Sequence, residues 1–345
     1  MRKIEKKRLI QLVLILTICA VAVFGCLRIF AGKCGIENHS DGIREKMKKL
    51  DEVQSDSYPQ EVLSYFEYYG LNVNSDELEH IFGSFESNDQ ALAAHIFIPK
   101  DYKATVIVMH GFFNHCGQLN HLIKYLTEQG YAVAAYDMPG HGLSTGERAG
   151  IDDFSQYSDV LRDFMNVLTK KLKSPYHLVG HSTGASAALD YLLTCKDSAF
   201  DKVVLVAPLV RCSAWGPSKT GFKLYSPFAE TIPRVFRNNS SDEKFLQFVR
   251  TKDPLQLRCV NLKWVKALHQ WNDKISDLEK CDSEVKILQG TNDKTVDWEF
   301  NIKFIKNKFS SVEVSLIENA HHELFNESAN IRKEVFSQIL AWLEN

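Results

Sequence analysis

The stretch Tyr176-His177-Leu178-Val179-Gly180-His181-Ser182-Thr183-Gly184 decides how this chain folds. An apolar run leads into a serine that has a glycine two positions away on either side. That is the pattern of a nucleophile elbow, where a strand turns sharply into a helix and a serine hydroxyl projects past the strand end. The turn strains the serine backbone, and side chains two residues away would collide, so Gly180 and Gly184 remove them. The helix expected over residues 185–195 aims its N-terminal N–H groups at the point where an oxyanion would form. The pentapeptide alone also fits an ordinary strand-to-helix turn, so its partners must come from elsewhere in the chain.

Outward from the elbow, strands alternate with helices, the mark of a largely parallel sheet covered on both faces. Residues 105–109, 131–136, 176–180, 203–207, 285–288 and 312–317 read as strands. Helices are expected over 119–129, closed by Gly130, over 152–172, and at the C-terminus through Val335, Ile339 and Leu343. Residues 79–85 and 91–98 read as an antiparallel pair joined near Asn88-Asp89. Residues 61–70, with Leu63, Tyr65, Phe66 and Tyr69, read as an amphipathic helix packed on the domain. From about 211 to 280 no buried strand is evident, and aromatic residues from Trp215 to Trp271 stand among polar ones. An insertion there lies over the C-terminal edge of the sheet, where ligands bind, and reads as a helical cap whose aromatics form mainly its own core.

Acyl transfer by a serine needs a base, an acid that orients the base, and donors for the oxyanion. The chain order in such a sheet is serine, acid, histidine. Asp293, in Gly290-Thr291-Asn292-Asp293, follows one strand directly; Asp297 stands where a helix begins and reads as its cap, so Asp293 is the acid. His321 and His322 follow the last strand, and spacing alone does not choose between them. Upstream, His110-Gly111-Phe112 leaves another strand at the same edge. There Gly111 permits a sharp turn, the main-chain N–H of Phe112 joins that of Thr183 as an oxyanion donor, and His110 is a structural hydrogen bonder. Asp137 to Ser144 forms a tight supporting loop in which Gly140, His141 and Gly142 are scaffold.

The N-terminus differs in kind. Arg2, Lys3, Lys6, Lys7 and Arg8 precede an apolar run over residues 9–27, long enough to span a bilayer. Charge is denser before the run than after it, which leaves the N-terminus in the cytoplasm and places the rest of the chain across the membrane. Val23-Phe24-Gly25-Cys26 loosely resembles a lipobox, and Ala20-Val21-Ala22 a signal-peptidase site, so lipidation or cleavage are alternatives to an anchor. Residues 1–34 are therefore expected to be a membrane anchor or signal, 35–60 a polar tether, and 61–345 one domain. At 345 residues, 45% hydrophobic, the chain can bury a large core, and its net charge of −2 gives no reason to expect nucleic acid as a partner. Eight cysteines without metal-type spacing read as free thiols rather than a zinc site, although an exported domain permits disulfides.

Taken together, these motifs resemble the monoacylglycerol lipase, lysophospholipase and serine-aminopeptidase-like branch of the α/β-hydrolases. The resemblance rests on His110-Gly111 with His115 behind it, Asp137 to Ser144 continuing into Gly146-Glu147-Arg148, Gly180 to Gly184, Gly290 to Asp293, and Asn319-Ala320-His321-His322-Glu323-Leu324 ending at Glu327. It covers roughly residue 76 to the C-terminus. It implies His322 as the base, because the family's histidine stands two residues before a leucine and five before a glutamate. It also implies Phe112 and Thr183 as oxyanion donors, no metal or organic cofactor, and a small-molecule or lipid ester as substrate. Phe112 and Phe113 depart from the small residues common in lipase members, which implies a narrower acyl pocket. A serine aminopeptidase is the alternative, with Glu230 and Asp242 as candidate amine binders, and a catalytically silent binding module is a third reading.

Overall fold

The computed structural model describes residues 41–54, 57–72, 77–195 and 197–345. The residues expected to form the N-terminal anchor lie outside them. Among the described residues no helix is long and apolar enough to cross a membrane.

An eight-stranded sheet carries the domain. Its strands are β1 (Leu78–Ser87), β2 (Gln90–Pro99), β3 (Ala104–Met109), β4 (Tyr131–Tyr136), β5 (Tyr176–His181), β6 (Phe200–Val206), and then β9 (Cys281–Gly290) and β10 (Phe309–Ile317). Two short strands, β7 (Thr231–Pro233) and β8 (Cys259–Asn261), pair with each other outside it. The order is β1-β2-β4-β3-β5-β6-β9-β10; β2 is antiparallel to both β1 and β4, and the remaining neighbours are parallel. The expected α/β fold, with an antiparallel pair at its N-terminal edge, is the one observed. Asn88 and Asp89, at φ +49° and +57°, supply the two left-handed positions that a tight hairpin between β1 and β2 requires.

The middle strands carry continuous apolar runs, such as Val106–Met109 and Val203–Val206, because both faces are covered. Ile107 and Met109 of β3 point into one core, and Val106 and Val108 into the other; Leu205 and Val204 of β6 divide the same way. One face is covered by α4 (Gln156–Leu168) and α5 (Thr183–Thr194). The other is covered by α2 (Gln60–Tyr69), α3 (Asn120–Glu128) and α10 (Ala329–Leu343), with a short α1 (Asp41–Arg44) alongside. In α2, Val62, Tyr65, Phe66 and Tyr69 are buried at helical spacing, and left-handed Gly70 stops the helix.

Two expectations need correction. Residues 41–54 are not a loose tether: Arg44 Nε donates to Leu143 O at 2.9 Å, Ser84 N donates to Lys48 O at 2.8 Å, and Leu50 is buried. An arginine and a leucine in this polar stretch give it enough contacts to dock. The helix expected over 152–172 is only Gln156–Leu168, because Asp153 accepts from the main chain of Ser155 at 2.9 Å and forms a local turn instead.

Between β6 and β9 lie α6 (Trp215–Tyr225), the β7–β8 ribbon, α7 (Glu243–Thr251) and α8 (Leu262–Ser276). The ribbon was not anticipated, since three-residue strands are too short to show a period. Helix α8 is rooted in the core, where buried Trp271 Nε1 donates to Asp190 Oδ1 at 2.8 Å and Ser158 of α4 holds the other carboxylate oxygen. Cys116, Cys195, Cys212 and Cys281 are free thiols, whereas Cys259 on β8 is disulfide-bonded, contrary to the reading of all cysteines as thiols.

Candidate active site

Ser182 sits between β5 and α5 at φ +53°, ψ −111°, the strained turn anticipated from its flanking glycines. Such a backbone costs on the order of 1–3 kcal/mol and persists only where its surroundings enforce it. A Cβ on Gly184 would stand 2.7 Å from the carbonyl oxygens of Met109 and His110, and one on Gly180 would stand 2.7 Å from Gly184 O. Both contacts are with backbone and have nowhere to go. Gly111 serves the same end: a Cβ there would meet His181 Nδ1 at 2.9 Å and Ser182 Cβ at 3.1 Å.

The loops after β9 and β10 converge on this serine. His322 Nε2 lies 3.0 Å from Ser182 Oγ, and His322 Nδ1 lies 2.8 Å from Asp293 Oδ2. Asp293 Oδ1 accepts the main-chain N–H groups of Thr295 (2.7 Å) and Val296 (3.3 Å), and Oδ2 also accepts Gln289 Nε2 at 3.0 Å. Burial favours the neutral acid, but the charge and hydrogen bond of His322 and these donors outweigh it and hold Asp293 at about 2. Burial likewise opposes the imidazolium of His322, yet the charge and hydrogen bond of Asp293, with the charge of Glu323, raise its pKa above the ordinary 6.5.

The adjacent histidine turns away. His321 Nδ1 is 3.1 Å from buried Glu327 Oε1, and its Nε2 is 3.2 Å from Asn292 Nδ2. Of the two histidines, His322 is the one within hydrogen-bond distance of Ser182. Asp297 caps α9 (Trp298–Lys308) through Phe300 N at 3.4 Å and stays outside the cluster. His110 accepts Met138 N at Nε2 (2.9 Å), so its Nδ1 donates to Gly111 O (2.8 Å); burial lowers it to about 4, which fits a structural role. His141 is scaffold too, with Nδ1 bonded to Pro139 O at 2.8 Å.

Phe112 and Thr183 line a cavity of about 330 Å³ together with Ser182 and His322. Their main-chain N–H groups donate to no acceptor among the described residues, which leaves both free for an oxyanion. The ring of Phe112 stacks on Trp264 of the cap, with centroids 4.0 Å apart, and touches Phe113, whose own φ is +75°. Gln256 Nε2 holds Phe113 O at 2.6 Å, and Gln256 belongs to a buried cluster with Gln118 and Asp253, the latter paired to His115 at 3.0 Å.

Sequence reasoning missed several cavity residues. Arg234, Arg237, Asn239 and Glu323 form a polar wall, and Glu323 follows His322 directly. Its two oxygens accept Asn114 Nδ2 (3.1 Å) and Asn239 Nδ2 (3.3 Å). A charged residue beside His322 was the available signal, since the contact with Asn239 joins residues far apart in the chain. Glu230 and Asp242 do not line the cavity, and Asp242 instead caps α7 through Lys244 N at 2.9 Å.

The family model for Hydrolase_4, serine aminopeptidase, S33, matches residues 100–329. A monoglyceride lipase homolog of Monkeypox virus is 28% identical over 254 residues, covering 70% of this chain and 90% of that protein. Human monoglyceride lipase is 28% identical over 259 residues, covering 70% of this chain and 82% of the relative. The fold is shared with a soluble variant of monoglyceride lipase from Saccharomyces cerevisiae solved with a substrate analog, at TM-score 0.67 and 19% identity, covering 76% of this chain and 94% of that one. With two-thirds of its length matched by the family model and the elbow, acid loop and histidine loop converging on one cavity, the chain belongs to the Hydrolase_4 family, serine aminopeptidase, S33, of the α/β-hydrolases.

Proposed function

We propose that this serine ester hydrolase cleaves lipid esters of the monoacylglycerol or lysophospholipid kind, with Ser182 as nucleophile. The observation that carries the reading is the hydrogen-bonded series Asp293–His322–Ser182 at the wall of a largely apolar cavity. His322 takes the serine proton as Oγ attacks the acyl carbon, and Asp293 keeps the imidazole in the tautomer that can accept it. The N–H groups of Phe112 and Thr183 stabilise the tetrahedral oxyanion. His322 then returns its proton to the leaving alcohol, and water deacylates the enzyme by the reverse course.

Leu209, Ile232, Val260, Trp264 and Val296 offer an acyl chain an apolar wall. The cap also exposes Leu224, Tyr225, Phe228 and Val235, surface suited to a substrate that arrives from a lipid phase. We place the domain on the far side of a membrane, anchored by residues 9–27; the basic cluster before that run supports this orientation. Against the peptidase alternative, its candidate amine binders Glu230 and Asp242 are not among the residues lining the cavity.

Fluorophosphonate labelling of the wild type but not of Ser182→Ala, with turnover of long-chain monoacylglycerol, is the expected result. Labelling together with hydrolysis of short soluble esters or peptides alone would defeat the lipid assignment. No labelling of folded protein would defeat catalysis and favour a binding module.

A further inference from the structure

We infer that Arg234, assisted by Arg237, forms an anion subsite inside the catalytic cavity, and that the preferred ester bears a phosphate group on its alcohol half. The inference rests on the ester-hydrolase reading and narrows its substrate. Both arginines line the same cavity as Ser182 and His322. Among the described residues neither has a carboxylate within ion-pairing distance. Arg234 spends one N–H on Leu257 O at 3.3 Å, and Arg237 one on Lys294 O at 3.1 Å.

The guanidinium of Arg234 is held as a flat plate. It lies 3.9 Å over the centroid of Phe113 and 4.4 Å from that of Phe236. Two rings pack against it, and among the described residues only the donor to Leu257 O is engaged. An edge-on guanidinium matches two oxygens of a phosphate through paired hydrogen bonds, which an ammonium does not do. Burial lowers Arg234 to about 10, so it remains charged at neutral pH. Glu323, the carboxylate in the cavity wall, accepts two asparagine amides and its charge also acts on Arg234, so two cations face one anion and the balance is positive. A neutral glycerol head group offers Arg234, the more buried of the two, no anionic partner, whereas a phosphate supplies one. The apolar residues of the same cavity take the acyl chain, which leaves the arginines for the alcohol half.

The test uses the full chain in neutral detergent with two esters of one acyl group, oleoyl lysophosphatidate and monooleoylglycerol. Wild type should favour the phosphate ester in kcat/KM by about tenfold or more, as expected of charge-assisted pairs. In Arg234→Gln that preference should collapse, with the phosphate ester losing about tenfold more than the neutral one. Arg237→Gln, at an exposed position, should reduce it less, and it carries the comparison if Arg234→Gln fails to fold. Added salt should raise KM for the phosphate ester alone. Equal losses for both esters would make Arg234 a brace for Phe113 and overturn the subsite. So would a wild type that prefers monooleoylglycerol. Protection of Ser182 from fluorophosphonate by inorganic phosphate, without any preference between the esters, would mark a site for a free anion and overturn the head-group assignment. Failure of Ser182 to label at all would instead strike the catalytic reading.

Discussion

Replacing Asp293 by asparagine probes the relay with the least change in shape. Oδ1 of Asp293 accepts two main-chain N–H groups, at 2.7 and 3.3 Å, so the asparagine carbonyl oxygen must take that position. An NH2 group there would face two donors. The NH2 then replaces Oδ2 and points at His322 Nδ1. Gln289 can follow by a flip of its amide, which offers the new donor an Oε1 that has no partner among the described residues but gives up the bond from Nε2 to Gly290 O. A donor opposite Nδ1 drives the imidazole proton onto Nε2, the atom 3.0 Å from Ser182 Oγ. That nitrogen then has no lone pair for the serine proton. Losing the base while keeping the oxyanion donors and cavity costs about 10⁴-fold in kcat, or ~5.5 kcal/mol of transition-state stabilisation. Hydrolysis of a short chromogenic ester and the rate of fluorophosphonate labelling would both register it, beside a thermal melt to confirm folding. A fall in kcat of less than about tenfold with an unchanged melt would refute the orienting role of Asp293.

The same relay sets the pH response. His322 acts as base only when neutral, and its pKa is raised, so kcat/KM should fall as pH drops through a midpoint above 6.5; a midpoint below that value would contradict the electrostatics of the site. His321→Ala should keep kcat within about threefold while His322→Ala loses at least ~10³-fold, as expected for a residue outside the reacting unit and one within it. Asp253→Ala removes the acceptor for His115, Tyr69, Gln118 and Leu255 N, all buried, and should cost about 3–5 kcal/mol in a denaturant titration. An effect under about 1 kcal/mol would mean that the cluster is not holding the cap to the core.

Much of the candidate site's geometry was legible because it sits where strands end. A strand that stops at Gly180 or Gly290 announces a loop at the sheet edge, and Ser182, Asp293 and His322 beyond such ends do meet. Sterics then explain the glycines: at Gly184 the neighbours within 3 Å are mostly backbone, which no repacking can relieve. The boundary of α4 was misjudged because a local Asp153 turn competes with helix, a contest that apolar spacing does not register. The polar wall was illegible for a different reason. Arg234, Asn239 and Glu323 meet only after the chain between β6 and β9 has folded back over the sheet, and nothing in their local sequence marks that encounter. The docked arm at Arg44 was hidden likewise, its partners lying about a hundred residues away.

The stack of Trp264 on Phe112 bears on how this protein could be re-engineered. One ring belongs to the insertion and the other to the residue whose N–H is assigned to the oxyanion. Gln256 grips the next carbonyl from the same side. The insertion is thus no interchangeable specificity cassette. A chimera carrying a relative's insertion would receive a new acyl wall and, with it, an unbraced oxyanion loop. Its turnover should drop for every ester until the aromatic pair and the glutamine are rebuilt.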